Sequence, residues 1–127
     1  MKKHGILNPA LAEAIARLGH RDEVVVADCG LPIPRSVPVV DLTLVFGIPR
    51  FEQVMDALLD EIVVEECVLA DEARDTPAER WITSRVPAAT HVAHEELKVR
   101  VRDAAFVVRT GETTSYANAI LICGVPF

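Results

Sequence analysis

The sequence predicts an α/β fold, a three-layer α/β/α arrangement around a mixed, largely parallel sheet, in one domain that spans residues 1–127. Two observations support this prediction. Short β-branched runs alternate along the chain with segments of helical periodicity, as in layered α/β proteins. The chain has 127 residues, of which 50% are hydrophobic, so one domain with a buried core is expected.

The first half of the chain opens with a helix signal. Asn8 can accept a hydrogen bond from a free backbone N–H, and Pro9 suits the first helical position. Gly19 is predicted to be the left-handed residue that ends this helix. Three prolines between residues 30 and 38 stiffen a loop. The elements predicted up to residue 70 are helices at 9–18 and 50–62 and strands at 23–27, 39–44 and 65–70.

The second half contains one ambiguous segment. Thr76 and Pro77 predict the start of a short helix that carries Trp81. In residues 94–102 apolar and basic residues alternate as in a strand, but the carboxylates that follow His94 favour a helix N-terminus, and we predict a helix. The other predicted elements are strands at 90–93, 104–110 and 119–125, the last two joined by a polar turn.

Charge and composition exclude several classes of protein. The net charge of −6 argues against nucleic acid as a partner, because a phosphate backbone requires a basic surface. No apolar stretch approaches the roughly 20 residues that cross a bilayer, so no membrane association is expected. The three cysteines are an odd number, match no metal-site spacing and follow no signal peptide, which indicates the cytoplasm.

Polar residues at the ends of predicted elements are the candidates for chemistry. His20 follows the first helix, where an imidazole can interact with the helix dipole, and Asp28 follows the first strand, where an aspartate can form a turn. Ligands of open α/β sheets bind beyond the carboxyl ends of strands, which gives Asp28 a second interpretation. His94, Tyr116 and Asn118 have equally ordinary explanations as cap or turn residues. Taken singly, each is better explained by a structural role.

Four segments together resemble the D-ribose pyranase family in order and spacing. They are KKHGILN, LGHRDEVVVADCGLPIP, HEELK and RTGETTSYANAILICGVPF. The resemblance covers nearly the whole chain, and the stretch at 74–90 is shorter than in the family. The related L-fucose mutarotases share the Gly-His and Asp positions, but GLPIP and RTGE…YAN resemble the ribose branch.

The resemblance implies an isomerase that interconverts the pyranose and furanose forms of D-ribose and supplies the furanose to ribose phosphorylation, with no cofactor and no metal. Ring opening and closure need only acid–base catalysis, for which a histidine with a pKa near ~6.5 is suited. By motif match His20 is the proton donor. The residues that the resemblance assigns to sugar binding are Asp28, His94, Tyr116, Ala117 through its backbone, and Asn118.

The resemblance also implies a ring-shaped homo-oligomer, a decamer of two stacked pentamers with sites near the subunit contacts. The apolar run at residues 120–127 is compatible with burial against a neighbour. Tyr116 and Asn118 immediately precede this run. We therefore expect them to reach a pocket whose His20 and Asp28 belong to the adjacent chain.

Three alternatives stay open from the sequence. An L-fucose mutarotase would use the same chemistry on another sugar. A non-enzymatic sugar-binding module would use the same pocket without depending on His20 for rate. A cysteine hydrolase would depend on Cys29, which lies beside Asp28, although a lone cysteine is more often a small buried hydrophobic residue.

Overall fold

The computed structural model describes all 127 residues, with six strands in one sheet and four helices. The strands are β1 (Glu23–Ala27), β2 (Val39–Asp41), β3 (Val64–Ala70), β4 (Ala89–Val92), β5 (Phe106–Arg109) and β6 (Ala119–Cys123). The helices are α1 (Pro9–Ala16), α2 (Phe51–Leu59), α3 (Pro77–Thr83) and α4 (His94–Arg100). None of these helices has the length and apolarity needed to cross a membrane.

The sheet is mixed and largely parallel, which confirms the predicted fold class. The strand order is β2-β5-β1-β6-β3-β4, and β6 runs antiparallel to both of its neighbours while the other pairs are parallel. Five strands therefore end at the same edge, which we call the carboxyl edge. The opposite edge, where those five strands begin, is the amino edge.

Side chains of β1 show why the sheet is covered on both faces. Val24 and Val26 pack in a cluster with apolar residues of α1, α2 and α3. Val25 and Ala27 face the other way, into a second cluster that includes Leu97 of α4. All four are fully buried, because a central strand between two helical layers has no solvent face. This explains the uninterrupted apolar run in the sequence.

Two helix starts have the predicted caps. The Asn8 side chain accepts a hydrogen bond from the backbone N–H of Leu11 at 3.0 Å, and Pro9 is the first helical residue. The Thr76 hydroxyl accepts from the backbone N–H of Glu79 at 3.5 Å at the start of α3. Each cap pairs one of the N–H groups that a helix start leaves without a partner.

The ambiguous segment at 94–102 is helical, as predicted. It forms α4 and a short 3₁₀ turn at Val101–Asp103. The carboxylate of Glu72 accepts a hydrogen bond from the backbone N–H of His94 at 2.8 Å, so the helix start is capped from the end of β3. The acidic first turn of α4 and this acidic cap both complement the positive end of the helix dipole.

The exit from α1 differs from the prediction. The helix ends at Ala16, and Gly19 does not adopt a left-handed conformation. Arg21 does, with a φ of 70°, and the N–H of Gly19 is instead bound by the Asp22 carboxylate at 2.7 Å. The prediction for Gly19 is wrong because the chain reverses two residues later, in a turn closed by a side chain.

Several elements are shorter than predicted, and side chains explain part of this. β2 ends at Asp41 rather than at residue 44, because the Asp41 carboxylate accepts from the N–H of Thr43 at 2.9 Å and closes a turn. β6 ends at Cys123 rather than at residue 125, and the residues after Gly124 are exposed.

Candidate functional site

A polar cavity of about 300 Å³ lies at the carboxyl edge of the sheet. It is lined by Asp28, Gly30, Leu31, Pro32, His94, Ser115, Tyr116 and Asn118. The structure thus brings four of the five predicted sugar-binding residues into one pocket. β6 runs antiparallel, so its beginning meets the ends of β1 and β3 at this edge.

Asp28 and Asn118 are locked together at the base of the pocket. The Asn118 amide donates to Asp28 Oδ2 at 2.9 Å, and the backbone N–H of Asp28 donates to Asn118 Oδ1 at 2.9 Å. The N–H of Gly30 donates to Asp28 Oδ1 at 2.9 Å. Each carboxylate oxygen keeps acceptor capacity, so a fixed carboxylate is available to a ligand hydroxyl.

His94 and Tyr116 form the other side of the pocket. Their rings are edge to face, with centroids 5.3 Å apart and planes at 80°. His94 Nδ1 is buried and has no hydrogen-bond partner within the chain. Tyr116 has a left-handed backbone with a φ of 62°, a conformation that non-glycine residues adopt mainly at special sites. Ala117 is fully buried and does not line the pocket.

Glu112 supports the loop at 110–118, called the site loop, which carries Tyr116 and Asn118. This role is not predicted from the sequence. One oxygen of its buried carboxylate accepts from the N–H of Phe51, and the other accepts from the N–H groups of Thr113 and Thr114, each at 3.1 Å. Burial alone would raise the pKa of Glu112, but these hydrogen bonds and the charge of Arg50 outweigh it and lower the pKa. One ionised group therefore fixes both the start of α2 and the start of the site loop.

His20 lies at the amino edge, far from the pocket in the same chain. It is about half exposed, and its Nε2 is 3.3 Å from Glu65 Oε2 near the start of β3. The whole of β1 separates His20 from Asp28. A strand rises about 3.3 Å per residue, so Asp22 and Asp28, which flank β1, are roughly 20 Å apart. One chain therefore does not bring His20 to the pocket.

The expected division of residues between chains needs one correction. The sequence-based expectation assigns Asp28 to the same subunit as His20 and Asn118 to its neighbour, but two hydrogen bonds join Asp28 and Asn118 within one chain. The grouping is wrong because His20 and Asp28, eight residues apart, lie before and after the same strand. The sequence separation is short, but the separation in space is the length of the strand.

Comparison with known proteins identifies the family. The model of the RbsD / FucU transport protein family matches residues 1–126. The chain belongs to this family. It is 54% identical to the D-ribose pyranase of Cutibacterium acnes and 56% identical to that of Corynebacterium glutamicum, with all of this chain and all of each relative covered.

Among solved structures, this chain is more similar to one branch of the family than to the other. It matches the structure of Bacillus subtilis RbsD complexed with D-ribose with a TM-score of 0.95 and 42% identity over the whole of both chains. The fucose mutarotase of Streptococcus pneumoniae in complex with L-fucose gives a TM-score of 0.81 and 25% identity, covering 99% of this chain and 100% of that one.

Two other depressions in this chain differ from the pocket at Asp28. A groove of about 320 Å³ between α1 and β2 is lined mainly by apolar side chains. Cys29 lines a depression with Arg35, Asp41 and Arg109, and no histidine is among its lining residues. Cys29 therefore has no histidine beside it in this chain, and the structure gives no support to a cysteine–histidine hydrolase.

Proposed function

We propose that this protein is a D-ribose pyranase, an isomerase that interconverts the pyranose and furanose forms of D-ribose by acid–base ring opening and closure. The furanose would then be consumed by phosphorylation. The observation that carries the proposal is the identity of more than half of the residues, over the full length, with enzymes named D-ribose pyranase. The pocket at Asp28 supplies the polar groups that such a substrate requires.

Directional hydrogen bonds hold the sugar in this proposal. Ribose carries no charge, so a site must match its hydroxyls with donors and acceptors. The Asp28 carboxylate accepts, and the unpartnered Nδ1 of His94 and the Tyr116 hydroxyl pair with further hydroxyls. Asn118 acts mainly by fixing Asp28, because its amide oxygen and nitrogen are both already bonded to that residue.

His20 of a neighbouring subunit completes the site. The amino edge that carries His20 must then meet the carboxyl edge of the next chain, which is a head-to-tail contact between two different surfaces. Contacts of this type form a ring when the rotation from one subunit to the next closes, as it does in the proposed pentamer. The carboxyl-edge loop exposes Leu44, Val45, Phe46 and Ile48, an apolar patch available to such a contact. The proposed assembly is a decamer of two pentameric rings.

The proposed chemistry is proton transfer alone. Opening the ring requires a proton at the ring oxygen, which His20 supplies, while the anomeric hydroxyl loses one. Closure onto a different hydroxyl reverses these transfers. General acid–base catalysis of this kind typically gives ~10²–10⁴-fold acceleration, which is enough for a ring opening that already proceeds in water. The three free cysteines support a reducing, cytoplasmic location.

Exchange between sugar forms, measured by NMR saturation transfer, tests this function directly. The purified protein should accelerate pyranose–furanose exchange of D-ribose, and treatment with a chelator should leave the rate unchanged. L-fucose in a parallel sample tests the alternative function of an L-fucose mutarotase, which the structural similarity to the fucose enzyme supports. Identical ribose exchange with and without protein would contradict the proposal. Binding without acceleration would indicate a sugar-binding module instead.

A further inference from the structure

His20 is held at the amino edge by a carboxylate. Glu65 Oε2 lies 3.3 Å from His20 Nε2, and Glu65 Oε1 accepts from Arg21 Nη1 at 2.5 Å. The hydrogen bond from Arg21 is the main reason that the pKa of Glu65 is lowered, so the carboxylate is ionised near neutral pH. An ionised carboxylate only accepts. Nε2 therefore carries the hydrogen that faces Glu65, and Nδ1 is the nitrogen that faces a sugar. In its doubly protonated form the ring donates a proton from Nδ1, and in its neutral form Nδ1 takes a proton back.

The backbone is irregular where Glu65 is presented. The register of β3 against β6 shifts between Val64 and Glu66, and Glu65 is the extra residue of this β-bulge. Consecutive side chains of a regular strand point to opposite faces. Here Arg21 Nη1 contacts Glu65 at 2.5 Å and Glu66 at 2.6 Å, so the bulge brings both carboxylates to the same side. Bulges commonly redirect a side chain beside an active site.

Two further residues, Gly124 and Arg21, support this arrangement. A Cβ on Gly124 would lie 3.3 Å from the Cβ of Glu65 and 3.4 Å from its Oε2, so glycine there leaves space for the carboxylate. Arg21 adopts the left-handed conformation already described, and its N–H donates to the carbonyl of Cys123 at 2.9 Å. Three separate local features thus converge on one carboxylate that touches His20.

We propose that Glu65 is a positioning residue for catalysis: it fixes the tautomer and the orientation of the His20 ring that is presented to the neighbouring subunit's pocket. This inference rests on the proposed function. Glu65 does not touch the sugar in this account, so its loss should affect the rate of the proton transfer and not the affinity for ribose. The second carboxylate, Glu66, binds only Arg21 and carries no such role.

Glu65→Gln with Glu66→Gln as the matched control tests the inference. Both variants remove one negative charge and one acceptor from the same arginine, but only Glu65 contacts His20. Glu65→Gln should lower kcat for ribose exchange about tenfold, part of the ~10²–10⁴-fold that acid–base catalysis supplies, with KM close to that of the wild type. Glu66→Gln should leave kcat unchanged. In a His20→Ala background, Glu65→Gln should cause no further loss, because the carboxylate acts only through the ring.

Several results would overturn the inference. They are a kcat of Glu65→Gln equal to that of the Glu66→Gln control, a raised KM with kcat unchanged, and a further loss of rate when His20 is already absent. If Glu65→Gln fails to assemble, Glu65→Asp keeps the charge but is one methylene shorter, and it should lower kcat with KM retained. A wild-type protein without activity would instead contradict the proposed function, and a fully active His20→Ala would contradict the donor role.

Discussion

Replacing Glu112 with glutamine tests how the site loop is held. Glu112 uses both carboxylate oxygens, one for Phe51 and the other for Thr113 and Thr114. Glutamine has one carbonyl oxygen, so its NH₂ group must face at least one backbone N–H. Hydrogen bonds to charged groups contribute about 1.5–3 kcal/mol, and a buried unpaired donor costs about 1–3 kcal/mol. We expect the free energy of unfolding to fall by about 2–4 kcal/mol.

Urea unfolding at one fixed protein concentration measures this loss, because the stability of an oligomer depends on concentration. Glu96→Gln is the matched control, since Glu96 is exposed and makes no hydrogen bond or ion pair with another side chain. The control should lie within about 1 kcal/mol of the wild type, because Glu96 contributes only its charge at the start of α4. If Glu112→Gln is as stable as that control, the buried carboxylate does not hold the loop and the reasoning is refuted.

The pH dependence of the stability difference between the wild type and Glu112→Gln gives an independent check. The pKa of Glu112 is lower in the folded chain than its ordinary value of about 4.3, so its ionised form stabilises the fold above that pH. This stabilisation is lost as the pH falls through the folded pKa. The stability difference between wild type and Glu112→Gln should therefore be full at pH 7 and shrink below about pH 4. A difference that grows on acidification would contradict the assignment.

Three further substitutions separate the proposed roles. His20→Ala should remove most of the exchange rate and leave ribose binding measurable by calorimetry, because an acid lowers the barrier more than it aids binding; abolished binding with normal residual turnover would contradict this. Asp28→Asn should weaken both binding and rate, since the pocket loses its carboxylate acceptor; unchanged ribose affinity would remove Asp28 from the sugar site. Cys29→Ala should keep the full rate of ribose exchange, because Cys29 lies outside the pocket. Loss of that rate would show that Cys29 contributes to the activity.

Much of the fold is predictable from local signals. The caps at Asn8 and Thr76 identify helix starts, and the alternation of elements gives the layered class. The acidic turn after His94 correctly outweighs the strand-like alternation of residues 94–102. These features depend on neighbouring residues. By contrast, the reversed direction of β6 and the turn at Arg21 depend on contacts between distant parts of the chain, which the pattern does not contain.

The site is less predictable, for the same reason. Asp28 and Asn118 are 90 residues apart, and only the antiparallel entry of β6 brings them within hydrogen-bond distance. Glu112 and Glu65 are single glutamates without a motif, so their roles emerge only from the backbone groups and side chains around them. His20, by contrast, lies in a motif that suggests a function, but no neighbouring residue indicates that β1 separates it from the pocket.

The central claim is that one subunit supplies His20 and its neighbour supplies the pocket. Mixing two inactive variants, His20→Ala and Asn118→Ala, tests this claim most directly. The proteins are dissociated, combined in equal amounts and reassembled, with each variant reassembled alone as the control. Random assembly pairs an intact His20 with an intact pocket at roughly one quarter of the contacts, so about one quarter of the wild-type activity should return. A mixed assembly that stays as inactive as its parents would show that the site does not lie between chains.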